Sequence, residues 1–339
     1  MSSVTVFVGL DYHQSGVQVC IMNVQGRVLL NKKVRNRVSV IARVIQGVGR
    51  PAGVAIESCC GAADLGEKLH RSAGWSISLA HPGFVARMKQ NPDKTDYADA
   101  LLLADLLRVG YLPKVWLAPE EIRRLRRTVR YRQQLVDTRR NVKLRIRALL
   151  RENRLRCPGK VSAWTKAWLA WVQKSDGLHN EDRWLMNQHL QDVQHLSERI
   201  AEVEQRLKKQ ADGDAVIKKL MSFDSIGLVT AVTMRAEIGR FDRFGSGKQL
   251  ARFCGLSPRN ASSGERQADA GMIRAGNPQL RAVLIQLAHR LVWRHGGRWE
   301  RLIHNMFRRG KPRNVVIAAV ANRYMRWLYH QMQPEQLAT

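Results

Sequence analysis

Val4-Thr5-Val6-Phe7-Val8-Gly9-Leu10-Asp11 is an apolar, β-branched run that closes on an acid, and it reads as a strand. Two more such runs follow, from Val17 to Val24 and from Val28 to Val34, with short polar joints between them. Three consecutive strands predict an antiparallel meander. A helical pattern around Val38 to Ile45 comes next, then a short strand, Val54 to Ile56, which closes on Glu57 as the first closes on Asp11. A helix around Leu65 to His70, a strand from Ser76 to Ala80 and a helix from Asp96 to Arg108 complete the first third of the chain.

Three strands followed by alternating helices and strands is the order of a ribonuclease H-like (RuvC-like) domain, and also of sugar-kinase and actin-like ATPases. In a ribonuclease H-like sheet the strands ending at Asp11 and Glu57 are neighbours. Two carboxylates at adjacent strand ends raise each other's pKa unless a hard cation such as Mg2+ neutralises them. Asp96 and Asp99, three residues apart, share one helical face and open the helix after the fifth strand. Acids in a first turn also complement the helix dipole with no catalytic role. Taken together, Asp11, Glu57, Asp96 and Asp99 form a candidate metal-binding and catalytic set for two-metal phosphoryl transfer. Asp105 falls off the face that the pair defines. The ATPases need a glycine-rich phosphate loop after the first strand, and Asp11-Tyr12-His13-Gln14 is not one.

Outward from this third, Pro113 and Pro119 mark a boundary. Glu120 to Arg156 then reads as a long helix with 14 Lys or Arg against 4 acids. Guanidinium groups pair with phosphates of any sequence, and Arg123, Arg126, Arg130 and Arg139 are its candidate nucleic-acid contacts. Beyond a loop at Cys157-Pro158-Gly159, Trp164, Trp168 and Trp171 recur at helical spacing, a pattern of core packing or of base stacking. From Met186 a heptad runs through Val193, Leu196, Ile200, Val203 and Leu207. Pairing within the chain or with another protomer would bury the same seam. Asp212-Gly213-Asp214 marks the next boundary, and the remainder reads as mostly helical, with Ser225-Ile226-Gly227 joining two helices. The expected organisation is α/β plus α: a ribonuclease H-like domain over 1–112, a basic helical coiled-coil arm over 113–211, and a mostly helical C-terminal domain over 212–339.

In that last part Gly255 ends a helix from Lys248 to Cys254, and a polar loop, Ser257 to Gly276, leads into Asn277-Pro278, an N-cap residue followed by proline at the first helical position. The loop carries Ser262-Ser263-Gly264 among Arg259, Arg266 and Arg274. A serine with basic neighbours can attack a phosphate, and a Ser-Gly pair is also ordinary turn chemistry.

Composition narrows the partner. The 339 residues carry 57 Lys plus Arg against 28 Asp plus Glu, a formal net charge of +29 that repels itself strongly unless a polyanion neutralises it. No apolar run spans a bilayer, and Met1-Ser2-Ser3-Val4 lacks the regions of a secretory signal, so a soluble protein of the reducing cytoplasm is expected. Five cysteines with no C-x-x-C spacing support neither a disulfide framework nor a structural zinc, and they read as packing residues.

With these residues in view, the chain resembles the DEDD/serine transposases of the insertion sequence 110 / insertion sequence 1111 family, which use a noncoding bridge RNA (seekRNA). The motifs that carry the resemblance are Gly9-Leu10-Asp11, Ala55-Ile56-Glu57 and Lys94-Thr95-Asp96-Tyr97-Ala98-Asp99-Ala100. Further on are Phe253-Cys254-Gly255-Leu256-Ser257-Pro258-Arg259, Ser263-Gly264 and Gly276-Asn277-Pro278-Gln279-Leu280-Arg281. The resemblance implies that Asp11, Glu57, Asp96 and Asp99 bind Mg2+ and that Ser263 is the nucleophile. It further implies that carboxylates of one protomer work with the serine of another, in a dimer or tetramer bound to guide RNA and DNA. The expected activity is RNA-guided cutting and rejoining of DNA. Two rivals keep parts of the pattern. A junction-resolvase-type nuclease using water would need the four acids and not Ser263, and a non-enzymatic nucleic-acid-binding protein would need neither.

Overall fold

In the computed structural model, which describes residues 4–89, 95–260, 269–273, 275–294 and 297–334, the chain divides into two compact units, Met1–Glu120 and Glu121–Thr339. The first is a mixed sheet with helices, and the second is almost wholly helical.

The first unit opens with β1 (Thr5–Tyr12), β2 (Gly16–Asn23) and β3 (Val28–Arg35), paired antiparallel in sequence order as the short polar joints require. After α1 (Val38–Gln46), β4 (Arg50–Glu57) returns parallel to β1. Beyond α2 (Ala62–Ala73), β5 (Ile77–Ala80) lies parallel to β4. A two-residue edge strand, β6 (Lys114–Val115), pairs antiparallel with β5, giving the order β3-β2-β1-β4-β5-β6. The first five strands have the expected ribonuclease H-like order. β4 starts four residues before the expected Val54. Pro51 interrupts the strand signal, yet Thr5 still pairs with Arg50, and the register slips beside Pro51, where a proline cannot donate. α3 (Pro82–Met88) and α4 (Asp96–Arg108) complete the unit.

Alternation along the strands gives the sheet two cores. Val6, Val8 and Leu10 of β1 and Val54 and Ile56 of β4 pack with Ile41 and Ile45 of α1 and Leu65 and Leu69 of α2. On the opposite face, Ala55 packs with Leu103 of α4, and Cys20 and Met22 of β2 with Ala100 and Ala104. Gly9, Asp11 and Glu57 alternate with the first set, so all three belong to the α4 face.

In the second unit α5 (Glu120–Glu152) and α7 (Asn180–Asp212) run antiparallel: partners on α7 fall in number as those along α5 and just past its end rise, in the pairs Arg132–Glu204, Arg139–Ser197 and Asn153–Asp182. Met186, Leu196, Ile200, Val203 and Leu207 are buried in one core with Val129, Leu135, Val142, Ile146 and Leu150. The heptad seam is therefore covered within the chain. Of the three tryptophans read at helical spacing, Trp168 and Trp171 lie on α6 (Lys166–Lys174), whereas Trp164 precedes it with φ 73°. Its ring centre lies 4.6 Å from that of Trp168, with the two planes tilted by 50°, and the Lys143 ammonium lies 4.5 Å from the Trp164 ring centre.

Helices α8 (Ala215–Met221), α9 (Leu228–Ile238), α10 (Gly247–Phe253), α11 (Pro278–Trp293), α12 (Glu300–Arg308) and α13 (Arg313–Gln331) form the rest, and α11, α13 and α9 supply its buried centre, including Leu284, Val320 and Met234. The segment read as a polar loop contains a ribbon, β7 (Pro258–Asn260) paired antiparallel with β8 (Asp269–Met272). Short polar strands have little apolar alternation, which is why the sequence pattern does not reveal them. Among the described residues no helix is long and apolar enough to cross a membrane.

Candidate active site

Asp11 is placed by its strand, and Asp96 and Asp99 by a helix that comes unusually near that strand. A methyl group at position 9 would lie 2.1 Å from the Ala100 carbonyl oxygen and 2.5 Å from the Ala104 nitrogen, so only glycine lets α4 rest directly on β1. Thr95 caps α4 by accepting from the Ala98 amide at 3.2 Å, which fixes where the first turn, with both acids, begins. Leu10 pairs with Ile56 across β1 and β4, so Asp11 and Glu57 are the next residues of adjacent parallel strands.

Around these acids the structure gathers an imidazole and two ammonium groups. His13 Nε2 lies 3.0 Å from Asp11 Oδ2 and 3.2 Å from Asp96 Oδ1. Lys33 Nζ donates to Asp96 Oδ2 at 3.0 Å, and Lys89 Nζ lies 2.5 Å from Oδ1 of the buried Asp99. Donor atoms of Asp11, His13 and Asp96 all fall within 4.8 Å of one another. Burial pushes the Asp11 carboxyl above its ordinary range, His13 opposes the rise, and the nearby Asp96 and Asp99 add to it. The bond from Lys33 holds Asp96 below its ordinary range. Mutually repelling carboxylates relieved by ammonium and imidazole groups offer hard oxygen donors of the kind a divalent cation takes, so the residues present fit such an ion.

Sequence reading missed the supports of this cluster. Asp11 pairs with Gln18 and Gln18 with Lys33, a polar row across β1, β2 and β3. Gln18, buried, donates to Asn31 at 2.7 Å, and Asn31 donates to the Tyr97 carbonyl at 3.1 Å, tying β2 and β3 to the first turn of α4. A glutamine inside the apolar run Gly16 to Met22 was the available signal, as was the Asp-x-His spacing of Asp11 and His13. The cysteines divide: Cys20 and Cys254 are buried packing residues, whereas Cys59 and Cys60 are exposed. Although Cys59 is exposed as a residue, partial desolvation of its thiol raises the thiol's pKa, and the negative charges of Glu57 and Asp11 add to the rise.

Three of the arginines expected to contact nucleic acid make hydrogen bonds within the second unit. Arg130 makes a two-pronged bond to Glu237 of α9 at 2.8 and 2.9 Å, and Arg126 donates to the Ala236 carbonyl at 2.9 Å. Arg139 donates to Ser197 at 3.0 Å. Their positions on α5, next to its buried stripe, turn them towards neighbouring helices. Arg123 lies one turn before Arg126 on α5, and Arg259 is exposed on β7. Ser263, Arg266 and Arg274 lie outside the described residues.

The chain matches two family profiles: the DEDD transposase of the IS110 type over residues 8–154, and the transposase IS116/IS110/IS902 family over residues 217–304. It is 32% identical over 224 residues to the transposase y4qE of Sinorhizobium fredii, a match covering 65% of this chain and 54% of that one, so it spans about half of that relative. Longer matches are a family 20 transposase of Pseudomonas aeruginosa, 29% identical over 84% of this chain and 85% of the relative, and the transposase for insertion sequence element IS1328 of Yersinia enterocolitica, 25% identical over 96% of each. The first profile contains all four acids and the second contains Ser263. With a mixed α/β unit of ribonuclease H-like strand order followed by helices, the chain belongs to the IS116/IS110/IS902 family of transposases, enzymes of the transposase/recombinase class.

Proposed function

We propose that this chain is the RNA-guided transposase of an insertion sequence and that it cuts and rejoins DNA by Mg2+-dependent phosphoryl transfer. Asp11, Glu57, Asp96 and Asp99 would hold the metal, and Ser263 would be the nucleophile. The observation that carries the carboxylate assignment is the close seating of Ala100 and Ala104 of α4 over Gly9, which accompanies the gathering of Asp96, in the first turn, with Asp11 and His13. The matched DEDD family names its acids in the order in which these four occur. The serine, the guide RNA and a site completed by a second protomer rest on the motif resemblance.

When bound, Mg2+ would supply charge for the phosphate oxygens and lower the pKa of an attacking hydroxyl. The protein's own contribution is positional: β1, β4 and α4 carry the carboxylates, His13 bridges Asp11 and Asp96, Lys33 holds Asp96 and Lys89 holds Asp99. Ser263 Oγ attacks phosphorus, one phosphorus–oxygen ester bond forms as another breaks, and the serine proton ends on the departing DNA oxygen or in solvent. A phosphoserine ester keeps both the DNA end and the bond energy for rejoining, whereas hydrolysis discards both. The exposed Arg140, Arg147 and Arg151 share one face of α5 and are the arm's phosphate contacts in this reading.

The test incubates the protein with matched guide RNA and labelled target DNA and then denatures it. Label should remain on the wild type and on Ser262→Ala, and none on Ser263→Ala. Mixing Ser263→Ala with Asp11→Asn should restore activity if the site is composite. Normal cutting and rejoining by Ser263→Ala would overturn the serine and favour a water-using nuclease.

A further inference from the structure

A cavity of about 520 Å³ opens in the second unit between the turn joining α8 to α9, the end of α11, the start of α12 and one face of α13. It is far from the acids in sequence and no role above uses it. Four aromatic rings build its wall: Phe223 from the turn, Trp299 before α12, and Tyr324 and Trp327 one turn apart on α13. Trp327 is the hub, with ring centres of Tyr324, Phe223 and Trp299 at 5.4, 5.3 and 6.3 Å. Tyr324 is buried and donates its hydroxyl to the Asp224 carbonyl at 3.3 Å, whereas Phe223, Trp299 and Trp327 are only half-buried and leave ring surface facing the space.

The cavity already holds a planar group of the protein's own. The Arg298 guanidinium lies 5.1 Å from the centre of Trp327 and 5.9 Å from that of Trp299. Arg294, at the rim, pairs with Asp224 at 3.3 Å, and both are largely exposed. Glu300 also lines the cavity, so its two arginines are matched by two acids, and what it offers is ring faces and a guanidinium plane rather than an excess of either charge. It suits a flat ring that stacks on indole and guanidinium planes while carrying negative charge outside, and a nucleotide has both features. Its size lies within the range of small-ligand sites. A second opening shares Ser222, Phe223 and Asp224 and runs along the turn to Gly227, where α9 begins without a side-chain cap, and Arg290 lies on that path. Phosphates leaving the aromatic cavity would meet cationic and amide donors there.

We propose that this cavity receives one unstacked base of a single-stranded nucleic acid, with Trp327 and Arg298 as its stacking surfaces, Trp299, whose plane stands at 78° to that of Trp327, against its edge, and Arg294 and Arg290 towards the adjoining phosphates. The proposal rests on the chain handling nucleic acid, and not on the carboxylate or serine chemistry. An element that opens duplexes exposes such bases in DNA, and a guide would expose them in RNA. The chemistry is shared, and the sources separate by experiment.

The probes are 12-nucleotide single strands carrying 4-thiothymidine in DNA or 4-thiouridine in RNA, with the corresponding duplex as control. Each is irradiated with the full-length protein without divalent metal, and the adducts are mapped by mass spectrometry. Adducts are expected on peptides containing Phe223, Trp299 or Trp327, with single strands and not with duplex, and the strand type giving the higher yield identifies the source. Arg298→Gln, at an exposed side chain, and Trp299→Leu should each lower the yield there on the order of tenfold, with a wild-type melting temperature for Arg298→Gln. Adducts confined to α5, or yields unchanged in folded Arg298→Gln, would overturn the proposal. Because no cleavage is read, this outcome is independent of whether Asp11 or Ser263 is catalytic.

Discussion

Replacing Gly9 by alanine tests whether the site depends on how closely α4 rests on β1. The added carbon would lie 2.1 Å from the Ala100 oxygen and 2.5 Å from the Ala104 nitrogen, both backbone atoms that no rotamer change can move. β1 cannot yield, because Gly9 is paired with Cys20 on one side and Ala55 on the other. The helix must therefore withdraw, and regaining ordinary contact requires a displacement of roughly 1 Å, a strain in the range of about 1–3 kcal/mol for an overpacked core. Asp96 and Asp99 travel with the helix while Asp11 stays with the strand. A misplacement of about 1 Å among reacting groups is enough to cost on the order of a hundredfold in rate. Gly9→Ala should accordingly keep a cooperative thermal unfolding transition, lowered by several degrees, while under the proposed function its cleavage of guide-matched DNA with Mg2+ falls about a hundredfold. Cleavage at the wild-type rate by Gly9→Ala would refute the claim that this close approach sets the site.

Asp11→Asn and Asp96→Asn should each abolish cleavage and leave the fold intact, and EDTA should do the same to the wild type; full activity in either case removes the metal assignment. Arg140→Gln, Arg147→Gln and Arg151→Gln together should lower the slope of log affinity for duplex DNA against log salt by about 0.9 for each phosphate that is no longer neutralised. A binding titration at several salt concentrations with an unchanged slope would make that face merely solvated. Arg130→Ala should instead destabilise the second unit by about 1–3 kcal/mol in denaturant unfolding, less than for a fully buried pair because Arg130 is itself half exposed. Unchanged stability would show that Glu237 does not need it.

The strand order was legible because β1, β2, β3 and β4 each carry β-branched runs closed by polar joints, and α4 was legible to the residue because Thr95 and the two following acids announce its start. The four acids could be nominated for the same reason, each standing at the end of an element. Their supports could not. His13 follows a strand, Lys33 lies two strands away from Asp11, and Lys89 and Asp99 are joined across a stretch of chain, so nothing local in sequence links them. Gln18 and Asn31 are likewise tied through a register that appears only once the sheet has formed. The β7–β8 ribbon and the early start of β4 escaped because pairing with a neighbour outweighs weak local preference there.

The arginines show most clearly what a charge count leaves open. Helical geometry divides the basic residues of α5 by face. Arg126, Arg130, Arg132 and Arg139 flank the buried stripe and are spent on Ala236, Glu237, Glu204 and Ser197, fastening α5 to α9 and α7. Glu237, with 2% of its side chain exposed, also accepts from Asn277 at 2.7 Å, and Asn277 caps α11 by accepting from the Gln279 and Leu280 amides. Arg281, one turn into α11, donates to the carbonyls of Gly255 and Ile273 at 3.0 and 2.8 Å. Gly255 and Ile273 bracket the chain that pairs as β7 and β8, so the same buried acid and two arginines join the arm to the foot of the ribbon. A guanidinium already paired with a carboxylate, as Arg130 is with Glu237 and Arg132 with Glu204, adds less to counterion release than an unneutralised one. The net charge of +29 therefore overstates the charge α5 leaves unpaired, and under the proposed function substitutions of a single residue type on one helix should separate into losses of stability, as at Arg130, and losses of salt dependence, as at Arg140, Arg147 and Arg151.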